Sequence, residues 1–351
     1  MVLNIHALPV PAPVELMVTL LPSLPHFATF ASDSRLGGIR LNSAMLTAFD
    51  LDHELALIPT DTALPLYFDI KGRQLRVTKV HPNQEFLDFE LNHPICVDLP
   101  TPILFKGGED RALLTRTHDG EQWRDTTTPG RWYQRFVTRG GPEYMVRPGE
   151  SVHIRDKSLR VGGTQFVAAE LDKIERVKAF GITRWFLSYV QSQHDVDEFL
   201  ELVGPDAEVI LKIESKQGLE YVAREFKKRD NLRLCAAKGD LYVELDRPHD
   251  ILQAQRLIIG KDPRACAGSR MMLSVIKKVP HLHHNEESKE NTIRWSIEPN
   301  PVPSDADFEQ IAWLYEIGFR SFMLCDELCL RNDLLSVATN ALHEFICSYQ
   351  H

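Results

Sequence analysis

Long hydrophobic runs are missing from these 351 residues: no apolar stretch approaches the roughly 20 residues that a bilayer-crossing helix needs. A basic excess is missing too. Forty Lys and Arg stand against 49 Asp and Glu, and the net charge of -9 leaves no electrostatic footprint for nucleic acid or an anionic membrane surface. The first residues lack a basic n-region and are broken by Pro9, Pro11 and Pro13, so they read as an irregular arm and not as a secretion signal. Cysteine is sparse. Cys96, Cys235, Cys266, Cys325, Cys329 and Cys347 form no short-spaced framework, which predicts free thiols and a cytoplasmic protein. Cys325 and Cys329 lie four apart, but a zinc site needs further ligands at matching spacing and none lies nearby. No internal repeat is visible.

What is present suits a globular protein with a small-molecule partner, and leaves room for a homo-oligomer. Hydrophobic residues make up 43% of the chain, enough for one large core and a second, smaller module. Short apolar runs alternate with helical patterns from about Val14 to the end, the signature of a parallel sheet with crossover helices. Eight runs are expected as strands: Leu16–Leu20, Gly38–Leu41, Leu66–Asp69, Trp185–Ser188, Val209–Ile213, Leu232–Ala236, Arg264–Ala267 and Phe322–Leu324. Eight suit a closed (β/α)8 TIM barrel of the α/β class.

Between the third and fourth runs, residues 76–163 change texture, with Pro, Gly and Thr clusters, aromatics and little helical periodicity. Turn signals at Lys106-Gly107-Gly108, Pro129-Gly130 and Gly140-Gly141-Pro142, with Trp123, Trp132, Tyr133, Phe136 and Tyr144 for a core, predict an inserted small all-β domain. The barrel is then split into residues 1–75 and 164–351. Ala169–Phe180 has helical spacing and stops at Gly181. Residues 277–303, with His281, His283, His284 and mixed charges, are expected as a solvated surface loop and not a metal cluster.

Catalytic groups of such barrels project from the C-terminal ends of strands. In Val209-Ile210-Leu211-Lys212-Ile213-Glu214 an apolar run ends with Lys212 and Glu214 on one face, and a buried lysine and carboxylate there must pair or serve a ligand. In Leu234-Cys235-Ala236-Ala237-Lys238-Gly239-Asp240 a small-residue strand runs into a glycine that permits close approach, then a carboxylate. Glu214 and Asp240, one strand apart, would give hard oxygen ligands to Mg2+ or Mn2+. Taken singly, each carboxylate is more readily a strand-end residue that caps the next helix. Asp69 and Lys71 share a face at the end of the third run, and Arg40 ends the second with a guanidinium suited to phosphate.

In order, these strand ends resemble those of the pyruvate kinase family. Met17-Val18-Thr19-Leu20 with Pro22-Ser23 resembles its opening strand, Arg40-Leu41-Asn42 its RLN motif, and Phe68 to Arg76 the LDTKGPEIR segment before the inserted domain. Ser188 to Ser192 is similar to SFVRS, Lys212-Ile213-Glu214 to KIE, and Ala237 to Glu244 to ARGDLGVE. Ala267 to Met272 falls on ATQML, Pro303 to Asp307 on PTRAE, and Met323 to Glu327 on the closing MLSEE.

The resemblance implies phosphoryl transfer between phosphoenolpyruvate or pyruvate and a nucleotide, ADP or ATP. Lys212, Ser269 and Arg40 would be catalytic. Arg40, Lys212, Ala237, Gly239, Asp240 and Ser269 would bind substrate, Glu214 and Asp240 the divalent ion, and Asn42 and Asp69 a monovalent cation.

Departures from the family are also instructive. Ser43-Ala44 follow the RLN motif where the family has FSH, Ile70 gives no oxygen where it has threonine, and Asp305 stands at the arginine of PTRAE. Gln74 replaces a glutamate that goes with potassium dependence, which puts the K+ site in doubt, and adjacent Arg73 is expected to supply fixed charge instead. The chain also ends soon after the eighth strand and its helix, so the C-terminal regulatory domain of the family is expected to be absent.

The changes cluster on the nucleotide and potassium side, while the metal and lysine side is intact. Two alternatives therefore stand beside the kinase reading. One keeps the metal and enolate chemistry as a lyase, aldolase or decarboxylase of oxo acids without nucleotide. The other is a non-catalytic ligand-binding protein on the same scaffold.

Overall fold

The computed structural model describes residues 14–46, 50–83, 85–105, 108, 110–117, 122–123, 132–142, 144–247, 249–284 and 291–349. The proline-broken arm, Lys106-Gly107, Pro129-Gly130 and the side chain of Trp123 lie outside the described residues.

Eight parallel strands close into a barrel in sequence order: β1 Glu15–Thr19, β2 Leu36–Asn42, β3 Leu66–Ile70, β4 Arg184–Leu187, β5 Glu208–Ile213, β6 Leu232–Ala237, β7 Cys266–Gly268 and β8 Ser321–Met323. Each matches an expected run to within a few residues. Alternation fixes what faces where. Phe68, Ile70, Val209, Leu211, Ile213, Leu234 and Ala236 join the core shared with the surrounding helices. Their neighbours Met17, Tyr67, Phe186, Ile210, Cys235, Cys266 and Met323 fill the barrel interior. Two residues beyond each interior residue, toward the strand's C-terminal end, side chains reach the mouth. By this count Asp69, Ser188, Lys212 and Ala237 follow Tyr67, Phe186, Ile210 and Cys235.

The helices are held by local signals. Ser192 caps Gln193–Val203 by accepting from the Asp195 amide, and Asp195 returns a bond to the Ser192 amide. Ser215 caps Lys216–Arg224 through the Gly218 amide. Gly181 ends Ala168–Phe180 at a φ of 100°, a left-handed conformation that suits glycine.

Between β3 and the Ala168–Phe180 helix, a separate antiparallel sheet forms from Val77–His81, Asp88–Cys96, Thr101–Phe105, Asp110–Thr117, Gln122–Trp123, Trp132–Arg139 and Arg160–Val161. It has its own core around Phe89, Phe105, Phe136, Leu91, Ile103 and Leu114. The entry to this domain is pinned from the barrel side. Glu170 Oε1 accepts from the amides of Lys71 (2.9 Å) and Gly72 (3.0 Å).

One expectation is overturned. Residues 277–303 are not an irregular loop, for Ile276–His284 and Asn291–Pro299 pair as an antiparallel hairpin after β7. The alternation Ile293, Trp295, Ile297 carried that signal, but Pro280 and the run of charges masked it. A two-stranded ribbon tolerates the proline because its outer edge needs no donor. The side chains of His281, His283 and His284 lie outside the described residues. Among the described residues no helix is long and apolar enough to cross a membrane, and all six cysteines are unpaired thiols.

Candidate active site

At the barrel mouth, under the inserted domain, lies a cavity of about 650 Å3. Every residue expected to catalyse or to bind substrate lines it: Arg40, Lys212, Ala237, Gly239, Asp240 and Ser269, together with Glu214 and Asn42. Asp69 lies just beneath, fully buried.

Lys212 is the centre of the floor. Its Nζ is 2.8 Å from Glu214 Oε1 and 3.6 Å from Asp69 Oδ2, and it donates to Ser188 Oγ at 2.9 Å. Ser188 passes its own proton to Asp69 Oδ1 at 3.0 Å. Burial disfavours the Lys212 ammonium, but Asp69 and Glu214 outweigh it and hold the amine charged well above its ordinary range. Asp69 shows the converse. Burial would raise its carboxyl, yet Lys212, Lys71 and Arg40 hold it far below the usual carboxylate range.

Glu214 is different. Its Oε2 accepts from the Tyr189 amide at 2.7 Å, and Tyr189 adopts a left-handed φ of 57° that aims the amide there. Its Oε1 is buried and accepts no well-aligned hydrogen bond despite the nearby Lys212. Burial pushes the Glu214 carboxyl up, and the adjoining Asp240 pushes it further, against Lys212.

Asp240 sits in the first turn of the helix Lys238–Glu244. Gln74 Nε2 donates to its Oδ2 at 3.2 Å and His153 Nε2 to its Oδ1 at 3.1 Å. Gly239 leaves room for its neighbour, since a Cβ there would stand 2.4 Å from Ser269 Oγ and displace that hydroxyl. Ser269 itself is held at a φ of 69°, followed by Arg270 at 52°.

Two adjoining carboxyls, which repel each other and are balanced in part by Lys212, are a donor set that fits a divalent cation of the Mg2+ or Mn2+ type. No group of three or more His, Cys, Asp or Glu able to hold a metal occurs among the described residues. The protein would thus give two ligands, and Mg2+ sites commonly complete their shell with water and substrate oxygens.

The opposite wall is already compensated. The Arg40 Nη1 donates to Thr19 Oγ1 (3.1 Å) and Asp326 Oδ1 (2.9 Å), while Nε (2.7 Å) and Nη2 (2.5 Å) face Asp69 Oδ2. Asn42 Nδ2 donates to Asp326 Oδ2 at 2.6 Å. The expected monovalent-cation residues are therefore engaged otherwise: Asn42 by Asp326, and Asp69 by Arg40, Lys71 (2.7 Å) and Lys212. Past β3 the residue that meets Asp69 is Lys71 and not Arg73, from which fixed charge was expected. Arg73 turns away to the Gly163 carbonyl (3.4 Å) and toward Asp195 (3.9 Å), and lines a separate cavity. Lys71 is pushed down to about 7 by burial, with Asp69 opposing and Arg40 and Lys212 reinforcing.

Sequence reasoning missed three residues. His153 comes from the inserted domain, and its two ring nitrogens meet Asp240 and, at 2.8 Å, Glu244 Oε1. Burial disfavours its charged form, but these two carboxylates override it and raise the imidazole to about 10. Tyr189 donates its hydroxyl to Glu244 Oε1 at 2.9 Å. Asp326 follows β8. For Asp326, a carboxylate three residues past a barrel strand was the available signal; His153 had none.

The fold and site define the class: a (β/α)8 barrel with an antiparallel sheet domain inserted after its third strand, and a charged cavity between the two. No family model matches the chain. It is 25% identical over 241 residues to the pyruvate kinase of Thermoplasma acidophilum, a match covering 64% of this chain and 41% of that protein. The chain thus spans about two fifths of the length of the curated relative it matches. The crystal structure of pyruvate kinase from Pyrobaculum aerophilum has the same fold, with a TM-score of 0.65 at 15% identity over 95% of this chain and 73% of that one. Sequence and fold together support a pyruvate-kinase-like family for this chain.

Proposed function

We propose that this chain is a pyruvate-kinase-related transferase that handles phosphoenolpyruvate or pyruvate at the Lys212 side of its cavity. The observation that carries the reading is the convergence of a charged, buried Lys212, 2.8 Å from Glu214 Oε1, with the adjoining Glu214 and Asp240 carboxyls in one cavity. A divalent ion held by Glu214 and Asp240 would supply Lewis-acid stabilisation of charge on substrate oxygens.

The residues of the chain account for the remainder. Breaking the bond from the enol oxygen to phosphorus leaves an electron pair on that oxygen, while phosphorus forms a bond to the acceptor. Lys212, fixed by Ser188 and Asp69, offers a preorganised positive charge to that oxygen and to the moving phosphoryl group. The methylene carbon then takes up a proton, giving pyruvate. The inserted domain, tied down by His153 over Asp240 and Glu244, excludes water from the cavity while this occurs.

A second reading, oxo-acid cleavage or decarboxylation without nucleotide, is favoured by the compensation of Arg40. The kinase reading is tested by a coupled assay with phosphoenolpyruvate, ADP and Mg2+. The shared enolate chemistry is tested by exchange of the methyl protons of pyruvate for deuterium in the presence of Mn2+. Wild type should exchange, and Lys212→Met and Glu214→Gln should not. Equal exchange by wild type and Lys212→Met, at the uncatalysed rate, would sink both readings.

A further inference from the structure

Phosphate recognition by an arginine needs a guanidinium with donors to spare. Arg40 has few. Both protons of its Nη1 are taken by Thr19 and Asp326, and its Nε and Nη2 are turned to Asp69. Asp326 is itself held from two sides, one oxygen by Arg40 at 2.9 Å and the other by the Asn42 amide at 2.6 Å. Asn42 cannot turn freely, because its Oδ1 accepts from the Ala44 amide at 3.1 Å.

Two of the neighbouring cations are engaged as well. Lys71 lies 2.7 Å from Asp69, and Arg76 is bound to Gln74 and to the Gly149 carbonyl. Glu327 and Glu150 also line the cavity, adding carboxylates to its rim. A phosphate approaching Arg40 would meet a fixed carboxylate where it needs a donor.

We propose that Asp326 is a specificity-determining residue which occupies the anion-binding edge of Arg40 and excludes phosphate there, so that the second reactant meets this wall without a phosphate group. This deepens the proposed function and rests on it for the position of the first substrate beside Lys212. It selects, as the second reactant, a neutral or cationic group over a nucleoside diphosphate.

Binding of inorganic pyrophosphate and of ADP, each with Mg2+, is measured by calorimetry on the full chain with Asp326→Ala and Asp326→Asn. Wild type should bind both weakly. Asp326→Ala should bind them about tenfold or more tightly, because a like charge facing the ligand is removed. Asp326→Asn should gain less, since the amide keeps the shape while losing the charge, and it preserves the test if the alanine variant folds poorly. The inference is overturned if wild type binds pyrophosphate or ADP as tightly as the variants, as it would were Asp326 simply displaced by the incoming anion. Binding of oxalate with Mn2+ to wild type is followed separately. Its absence would count against the enolate site and leave the pyrophosphate comparison valid.

Discussion

Lys238 begins the helix that carries Asp240, and its amine is buried with no hydrogen-bond partner. Burial drives it from 10.5 down to about 7, with Asp307 and Cys325 resisting and Arg270 assisting. The sign follows from linkage. The unfolded chain holds this proton up to 10.5 while the folded chain releases it near 7, so between those values the unfolded state binds more protons and stability rises with pH. Below pH 7 the whole penalty is felt. At about 1.4 kcal/mol per pH unit, the interval between 10.5 and about 7 amounts to about 5 kcal/mol. That is a ceiling, since local relaxation and water entry relieve part of it. Lys238→Met keeps the volume and removes the charge. It should stabilise the protein by at least about 2 kcal/mol at pH 6 to 7, with the gain shrinking through pH 9 and vanishing above 10.5. Equilibrium urea denaturation of both proteins across this range is the assay. A destabilised variant, or a difference that does not change with pH, would refute the burial argument.

His153 gives the opposite pH sign. Its folded value of about 10 lies above the ordinary 6.5, so its support of the closed arrangement is complete below pH 6.5 and lost as pH rises toward 10. His153→Ala should remove that dependence and speed amide exchange in residues 147–153, while barrel strands stay protected; unchanged exchange would count against the clamp. Gly239→Ala should displace the Ser269 hydroxyl, lowering pyruvate deuterium exchange about as much as Ser269→Ala does. The double variant should be no worse than either single one, and additive losses would separate the two residues. Lys212→Met should lose Mn2+-dependent oxalate binding, read by calorimetry, and intact binding would remove Lys212 from the site.

The eight barrel strands and the positions of Lys212, Glu214 and Asp69 were legible because a period of two on a core strand leaves only certain residues to face the mouth, whereas Asp240, in the first turn of a helix, was marked by the resemblance of Ala237 to Glu244 to ARGDLGVE. The hairpin at 276–299 was not, since its alternation is diluted by Pro280 and by charges that also suit a loop. Arg73 was misassigned for a related reason. It lies past the end of β3, in the turn around Gly72 at a φ of 53°, where strand alternation no longer predicts direction. His153 reaches Asp240 across 87 positions, and only the folding of the inserted sheet onto the barrel brings them together.

The two walls of the cavity differ in how their charges are satisfied, and this difference ties the site to its chemistry. On the Glu214 side two carboxyls adjoin, and burial with the neighbouring Asp240 raises the Glu214 carboxyl against Lys212; a divalent cation there relieves that repulsion. On the other wall Asp69 and Asp326 divide the Arg40 guanidinium between them. Leaving a buried charge unpaired costs several kcal/mol, so each wall favours the partner that completes its pairing. A cation and an oxo acid satisfy the first wall without disturbing the second. A phosphate on the second wall must first break the bonds of Arg40 and Asn42 to Asp326. Hydrogen bonds involving charged groups contribute roughly 1.5 to 3 kcal/mol each, so the barrier to that exchange is set by Asp326, and replacing it is the most direct way to reopen the wall.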